Sequence, residues 1–413
     1  MKKTVIELFA GVGGFRVGLN NVTSIDGKGR AIENGEFEFV WANQWEPSTK
    51  VQHAFDCYNL RFNESNNSNM DITLVNKKEI PNHNLLCGGF PCQDYSVARS
   101  LSNEQGIEGK KGVLWWQIRD ILKIKKTPFV LLENVDRLVK APSKQRGRDF
   151  GIMLRCLAEL GYVVEWRIIN AAEYGLPQRR RRIYIFAYKN STNFAKQIKK
   201  YEPKDILQIK GIFAKQFPIK DIDIKIKSVN IMEYKDLVDL SNEFKFPFEN
   251  SGVMTNGIVY TVKTEPKYIK PVTLSQIVVN DADEHYFLSE KEKQKFEYLR
   301  GHKTLERVSK DGHKYNYSEG AMSPYDDLSL PGRTMLTSEG SVNRSTHIIM
   351  DPIKNKLRIL TPIECERLNQ FPDDWTNSGM PENRRYFMMG NALVCGIVKK
   401  LSIEISSIIG NET

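Results

Sequence analysis

Short apolar runs recur through the first half of the chain. Each ends in a glycine-rich or polar turn, and most are separated by a helix-length stretch. Runs at 4–9, 37–42, 84–87 and 129–133 read as strands, followed by 163–170 and 182–188. Between them, 113–126 and 152–160 carry apolar residues at helical spacing, and Gly161 stands at the C-terminal stop of the second. Strands alternating with helices predict an α/β fold, a mainly parallel sheet with helices on both faces. Ligands of such a sheet gather at the C-terminal strand ends, so those ends are where chemistry is to be sought.

The chain has 413 residues, enough for two domains with real cores. No run of about 18 apolar residues exists, so no membrane span is expected. The start, Met1-Lys2-Lys3-Thr4, leads into too short an apolar run for a secretory signal. The six cysteines (57, 87, 92, 156, 365 and 395) form no CxxC pair. They read as reduced thiols of a cytoplasmic protein, with no zinc site, no other metal and no disulfide framework expected. A net charge of +10 suits a polyanionic partner, since lysine and arginine neutralise phosphates and release counterions.

From residue 189 to about 352 the sequence becomes Lys-rich and less periodic. This predicts a smaller, irregular second domain over 191–379, with 1–190 and 380–413 forming the first. Thr361-Pro362-Ile363-Glu364 is a helix start, with a Thr cap, Pro at the first turn and Glu three residues after the cap. The apolar pattern over 392–409 predicts a terminal helix returning to the first domain.

Three strand ends point to a cofactor. Phe9-Ala10-Gly11-Val12-Gly13-Gly14 follows the first strand, and its glycines let backbone approach a ligand closely. It departs from GxGxxG, which argues against a dinucleotide pyrophosphate. Gln44-Trp45 follows the second strand, offering a polar group for ribose hydroxyls and an aromatic face for adenine, with Glu46 next to it. Asp71-Ile72 suits an adenine amino group. Together they imply an adenosine-containing cofactor without a diphosphate, and S-adenosyl-L-methionine fits better than NAD.

The reactive centre follows the third and fourth runs. Gly88-Gly89-Phe90-Pro91-Cys92-Gln93 puts one cysteine on a tight turn after Leu85-Leu86-Cys87. A thiolate so placed is a nucleophile a substrate can reach. Glu133-Asn134-Val135 ends the neighbouring run and supplies an acid. In Gln178-Arg179-Arg180-Arg181-Arg182, alternate residues of a strand share a face. Arg180 and Arg182 are thus expected to point together toward Cys92 and Glu133, where guanidiniums hold a carbonyl oxygen and phosphates.

In order and spacing these motifs, with the 358–372 segment and Gly390-Asn391-Ala392, resemble those of DNA (cytosine-5) methyltransferases of the bacterial restriction–modification type. The resemblance runs over nearly 400 residues. It implies a Rossmann-like S-adenosylmethionine-dependent methyltransferase domain with a smaller target recognition domain. Catalytic roles then fall to Cys92, Glu133, Arg180 and Arg182. Cofactor contacts fall to Phe9, Gly11, Gly13, Gly14, Gln44, Trp45, Asp71 and Ile72, with Gly89, Pro91, Leu114, Asn391 and Ala392 completing the set. Gln44 stands where the family has an acidic residue, which removes a charge from the ribose contact; Glu46 beside it is a candidate to compensate.

The resemblance further implies double-stranded DNA as substrate and a target base flipped out of the helix. DNA contacts are expected from Gln93, Ser96, Arg99, Lys110 and Lys111 on a closing loop, and from Arg333 and Thr334 in Pro331-Gly332-Arg333-Thr334-Met335. A monomer is expected, with room for a cognate restriction endonuclease that acts on the same site without binding the chain. Two alternatives stay open: a tRNA cytosine-5 methyltransferase of the same fold, whose recognition region is much shorter, and an inactive DNA-binding protein.

Overall fold

The computed structural model describes residues 1–63, 66–90, 114–221, 225–308 and 312–412. Its centre is a sheet in the order β2-β1-β3-β4-β6-β5-β8-β9-β7. The strands are β1 (Thr4–Leu8), β2 (Glu38–Asn43), β3 (Leu85–Gly89), β4 (Phe129–Val135), β5 (Tyr162–Asn170) and β6 (Arg181–Lys189), then β7 (Lys227–Asn230), β8 (Ser251–Thr255) and β9 (Ile258–Val262). Leu85, Leu86 and Cys87 of β3 are all fully buried, because both faces of this central strand are covered. Leu85 and Cys87 join the core on one face with Leu131 and the helix Cys395–Gly410. Leu86, Val130 and Leu132 join the other, against the helices Leu114–Lys125 and Arg148–Glu159. The alternation follows from the two-residue strand repeat.

Only part of the sheet is parallel. Strands β2, β1, β3 and β4 pair in parallel, as expected. From β4 onward every described pairing is antiparallel. The expectation of a mainly parallel sheet fails there for a topological reason. Residues 171–180 join β5 to β6 with one short 3-10 turn, Ala171–Glu173, and a parallel return needs a crossover of about a dozen residues or more. The reversal matters for the site, because it brings the start of β6 beside the end of β4. Val135 pairs with Arg182 and Glu133 with Tyr184.

The sheet also continues past residue 190. Strand β8 pairs with β5 through Val164↔Met254, and β9 and β7 extend it. Residues 227–262 therefore belong to the same sheet as the first domain, although the Lys-rich composition sets them apart in sequence.

The remaining elements lie outside that sheet. The helix Glu290–Arg300 starts on a Ser289/Glu292 capping box. Two small antiparallel ribbons follow, β10 (Lys303–Val308) with β11 (Lys314–Glu319), and β12 (Ile348–Met350) with β13 (Leu357–Ile359). The helix Pro362–Leu368 carries the Thr361/Glu364 capping box expected from sequence. The terminal helix returns to the first domain and packs so tightly on the helix Gly14–Leu19 that a Cβ on Gly18 would sit 2.5 Å from Val398 Cβ.

Candidate active site

The C-terminal ends of the parallel strands β2, β1, β3 and β4 share one edge of the sheet, and the start of the antiparallel β6 lies there too. After β1, Phe9, Gly11 and Gly13 adopt left-handed φ values of 53°, 55° and 88°, which turn the backbone sharply into the helix Gly14–Leu19. A side chain on Gly11 would meet nothing within 4 Å, so open space borders the turn. The Gly11 N–H donates to Gln44 Oε1 at 2.7 Å. Gln44 therefore holds the turn with its carbonyl oxygen, leaving its NH2 group as the donor for a ligand. Trp45 beside it remains 38% exposed. Glu46 accepts from Arg384 Nη2 through Oε1 at 2.7 Å, while its Oε2 is buried with no partner among the described residues.

Asp71 sits beyond a single bridge between Ser68 and Asn43 rather than at the end of a full strand. Asn43 Nδ2 fixes this segment by donating to Met70 O at 2.9 Å. Ile72 is buried, while Asp71 Oδ1 caps Thr73 N–H at 2.9 Å. Leu114 opens the helix Leu114–Lys125, half-buried. Asn391 ends the helix Glu382–Asn391, exposed, and Ala392 follows it. Pro91, Cys92, Gln93, Ser96, Arg99, Lys110 and Lys111 lie outside the described residues.

One anchor under the glycine turn is not among the sequence-selected residues. Glu7 is fully buried in β1; its carboxylate accepts the Phe15 N–H at 3.1 Å and the Tyr58 hydroxyl at 3.2 Å. The available signal is a carboxylate inside an otherwise apolar strand. Burial raises its pKa to about 8, against the opposing hydrogen bonds and Arg16. The folded protein thus keeps a proton that the unfolded chain releases near 4.5. This contribution to stability is whole below about pH 4.5 and fades as pH rises through about 8. Glu7→Gln should flatten the decline in melting temperature between pH 5 and 8.5; equal slopes in both proteins would assign the decline to other groups.

The acid and base of the site meet where β4 and β6 run side by side. Gly89 pairs with Glu133 across β3 and β4. Arg182 Nε approaches Glu133 Oε1 at 3.1 Å, with side chains 18% and 13% exposed. Burial pushes the Glu133 carboxyl upward, and Arg182 and Arg180 oppose it. Asn134 Nδ2 donates to Phe90 O at 3.0 Å, holding the backbone immediately before Pro91 and Cys92.

Arg180 lies close enough to Arg182 and Glu133 to feel their charges, but it is not an open guanidinium. It precedes β6 and is buried, donating from Nη1 to Met335 O at 3.0 Å and from Nη2 to Gly390 O at 3.0 Å. Gln178 is also internal, bonded to Asn369 and Met335. Arg333 points inward, onto Asp326 at 2.5 Å and Thr346 O at 3.2 Å. Thr334 donates to Arg179 O at 2.6 Å. The 177–180 and 332–335 segments thus form a seam joining the site to the chain beyond the sheet, reinforced by Arg179 N to Gly332 O at 2.7 Å and Gly332 N to Pro177 O at 2.8 Å.

A family model for C-5 cytosine-specific DNA methylases matches residues 3–407. The chain belongs to this family. The methylase is 52% identical to the Type II methyltransferase M.Sau3AI of Staphylococcus aureus, over 98% of this chain and 96% of that one. It is 31% identical to M.HhaI of Haemophilus parahaemolyticus over 58% and 63% of the two chains. Its fold also resembles a crystal structure of a DNMT2 mutant from Spodoptera frugiperda, with a TM-score of 0.60 over 99% of both chains at 15% identity. A methyltransferase of Entamoeba histolytica, EhMeth, gives 0.59 over 99% of both at 16%. The methylase is a DNA (cytosine-5-)-methyltransferase with a Rossmann-like α/β fold.

Proposed function

We propose that the chain methylates C5 of one cytosine within a short, specific double-stranded DNA sequence, using S-adenosyl-L-methionine. The observation that carries this reading is the Arg182–Glu133 pair at the joint of β4 and β6. It lies beside the strand end from which the Cys92 turn departs. The glycine turn, the Gln44 amide and the half-exposed Trp45 suit an adenosine moiety, and the turn borders open space at Gly11. When bound, the donor supplies an electrophilic methyl group.

The target cytosine is flipped from the duplex, since ring C6 is inaccessible in the stack. Cys92 as thiolate adds to C6 and makes C5 nucleophilic. Glu133 shares its proton with ring N3 and limits the charge that develops on the ring. Arg182 donates to O2 and holds Glu133 in place. After methylation a water-derived base removes the C5 proton, and Cys92 departs with the electron pair of its bond to C6. Asn134 holds the Phe90 carbonyl, two residues before Cys92. Arg180 acts through the Met335 and Gly390 carbonyls rather than on the base.

Within 191–379, the recognition surface falls to residues outside the large sheet, from about 263 onward. The enzyme is read as a cytoplasmic monomer that protects host DNA from an endonuclease of the same specificity. Bisulfite sequencing of plasmid from cells expressing the chain should show one methylated cytosine in a fixed sequence; unmodified plasmid would refute the reading. Glu133→Gln should slow single-turnover methylation by roughly 10²–10⁴-fold, and a near-normal rate would remove Glu133 from the chemistry.

A further inference from the structure

The ribbon β10–β11 is built unlike the rest of the molecule. Its two faces are defined by the register Lys303↔Glu319, Thr304↔Ser318, Leu305↔Tyr317, Glu306↔Asn316, Arg307↔Tyr315 and Val308↔Lys314. On one face Lys303, Tyr317 and Glu319, near the base, are half-buried, with Lys303 over the Tyr298 ring at 4.7 Å, while Leu305, Arg307 and Tyr315 are exposed and Arg307 lies over Tyr317 at 3.9 Å within the ribbon. On the other face, Thr304, Glu306, Val308, Lys314, Asn316 and Ser318 are all exposed. An isolated two-stranded ribbon has marginal stability in water, so its support must come from its base.

The base is firmly held. Arg344 Nη1 donates to Leu299 O at 2.7 Å on the entering chain, and Arg344 also reaches Glu319 and Gly320 on the leaving chain. Arg300, buried, donates to Ser323 O at 2.9 Å and to Thr346 O at 2.6 Å. These arginines point inward, so the clamp fixes the ribbon while its outer face remains free to meet a partner.

The chemistry of that face selects the partner. It carries hydroxyls at Thr304 and Ser318, a carboxylate at Glu306, an amide at Asn316 and an ammonium at Lys314, with Val308 as its one apolar side chain. These groups tell base edges apart: an amide pairs with adenine N6 and N7, a carboxylate accepts from cytosine N4, and an aliphatic group meets the thymine methyl. The B-DNA major groove admits a two-stranded ribbon. Both described ribbon carboxylates are matched by lysines, Glu306 by Lys314 at 3.0 Å and Glu319 by Lys303 at 3.6 Å. Among its described residues the ribbon therefore presents no unbalanced negative charge to phosphates, and the chain as a whole carries +10.

We infer that the outward face of β10–β11 enters the DNA major groove and that Glu306 and Asn316, directly opposed across the ribbon, set the recognition sequence. The inference rests on the proposed methylation of a specific duplex.

The test compares kcat/KM on the duplex found by bisulfite mapping with duplexes altered at one base pair, for the wild type, Glu306→Ala and Asn316→Ala. Each variant should lose discrimination at one position of the site by roughly 5- to 150-fold. Thermal stability should not change, because both side chains are exposed. Variants that rank all duplexes as the wild type does, within about twofold, would overturn the ribbon assignment while leaving the methylation reading intact. A wild type that methylates no duplex would overturn that reading first.

Discussion

Cys92→Ala should abolish methylation while leaving specific DNA binding in place. The argument rests on the other five cysteines. Cys57, Cys87, Cys156, Cys365 and Cys395 are all buried. Burial pushes the Cys57 thiol up to about 11 and Cys156 to about 12, and holds the remaining three well above the ordinary range. None supplies a thiolate near neutral pH, and the thiolate is the nucleophile. Loss of at least about 10⁴-fold in single-turnover rate is expected, the scale seen on removing a catalytic nucleophile. Duplex carrying 5-fluorocytosine at the target should form an adduct with the wild type and methyl donor but not with the variant. A variant within tenfold of the wild-type rate would show that the sulfur–carbon bond is not part of the reaction.

The second large effect concerns stability. Arg358 in β13 is fully buried and holds two carboxylates at once. Nε donates to Asp351 Oδ2 at 2.7 Å, while Nη1 and Nη2 donate to the two oxygens of Glu364 at 2.8 and 2.7 Å. Glu364 in turn closes the capping box of Pro362–Leu368 and accepts the Val279 N–H at 2.8 Å. Arg358→Ala leaves two buried acids without their cation and should cost about 3–5 kcal/mol. The melting temperature should drop by roughly 3–6 °C. Arg358→Lys should recover only part of it, since one ammonium cannot reproduce a three-bonded fork. An unchanged melting temperature in Arg358→Ala would mean that the carboxylates find other partners.

Much of the parallel half of the sheet was readable because each buried strand there is a short apolar run closed by a turn. Glycine spacing at 9–14 and the Thr361-Pro362-Ile363-Glu364 start were likewise local signals, and each describes its own backbone. The antiparallel half was not readable in the same way. Strand direction at β6 depends on the short 171–180 link, and β7 is a half-exposed edge strand in a Lys-rich stretch with no clear apolar run. Arginines were the hardest residues to place. Arg180, Arg182, Arg333 and Arg358 are alike in sequence. Partners decide which faces the site and which is structural, distant in sequence for two of them, Gly390 for Arg180 and Glu133 for Arg182, and seven residues away for the others, Asp326 for Arg333 and Asp351 for Arg358. The role of Glu7 is likewise not local, since its hydrogen-bond donors, Phe15 and Tyr58, lie in other elements.

The seam between 177–180 and 332–335 has a bearing on chimeras. On the proposed placement of the recognition surface, exchanging target specificity between relatives means transplanting the chain outside the sheet, and a junction placed inside that seam would separate Thr334 and Met335 from the strand carrying Arg182. Such hybrids should still take up the methyl donor yet turn over slowly. Cuts that carry both seam segments from one parent should work as faithfully as that parent.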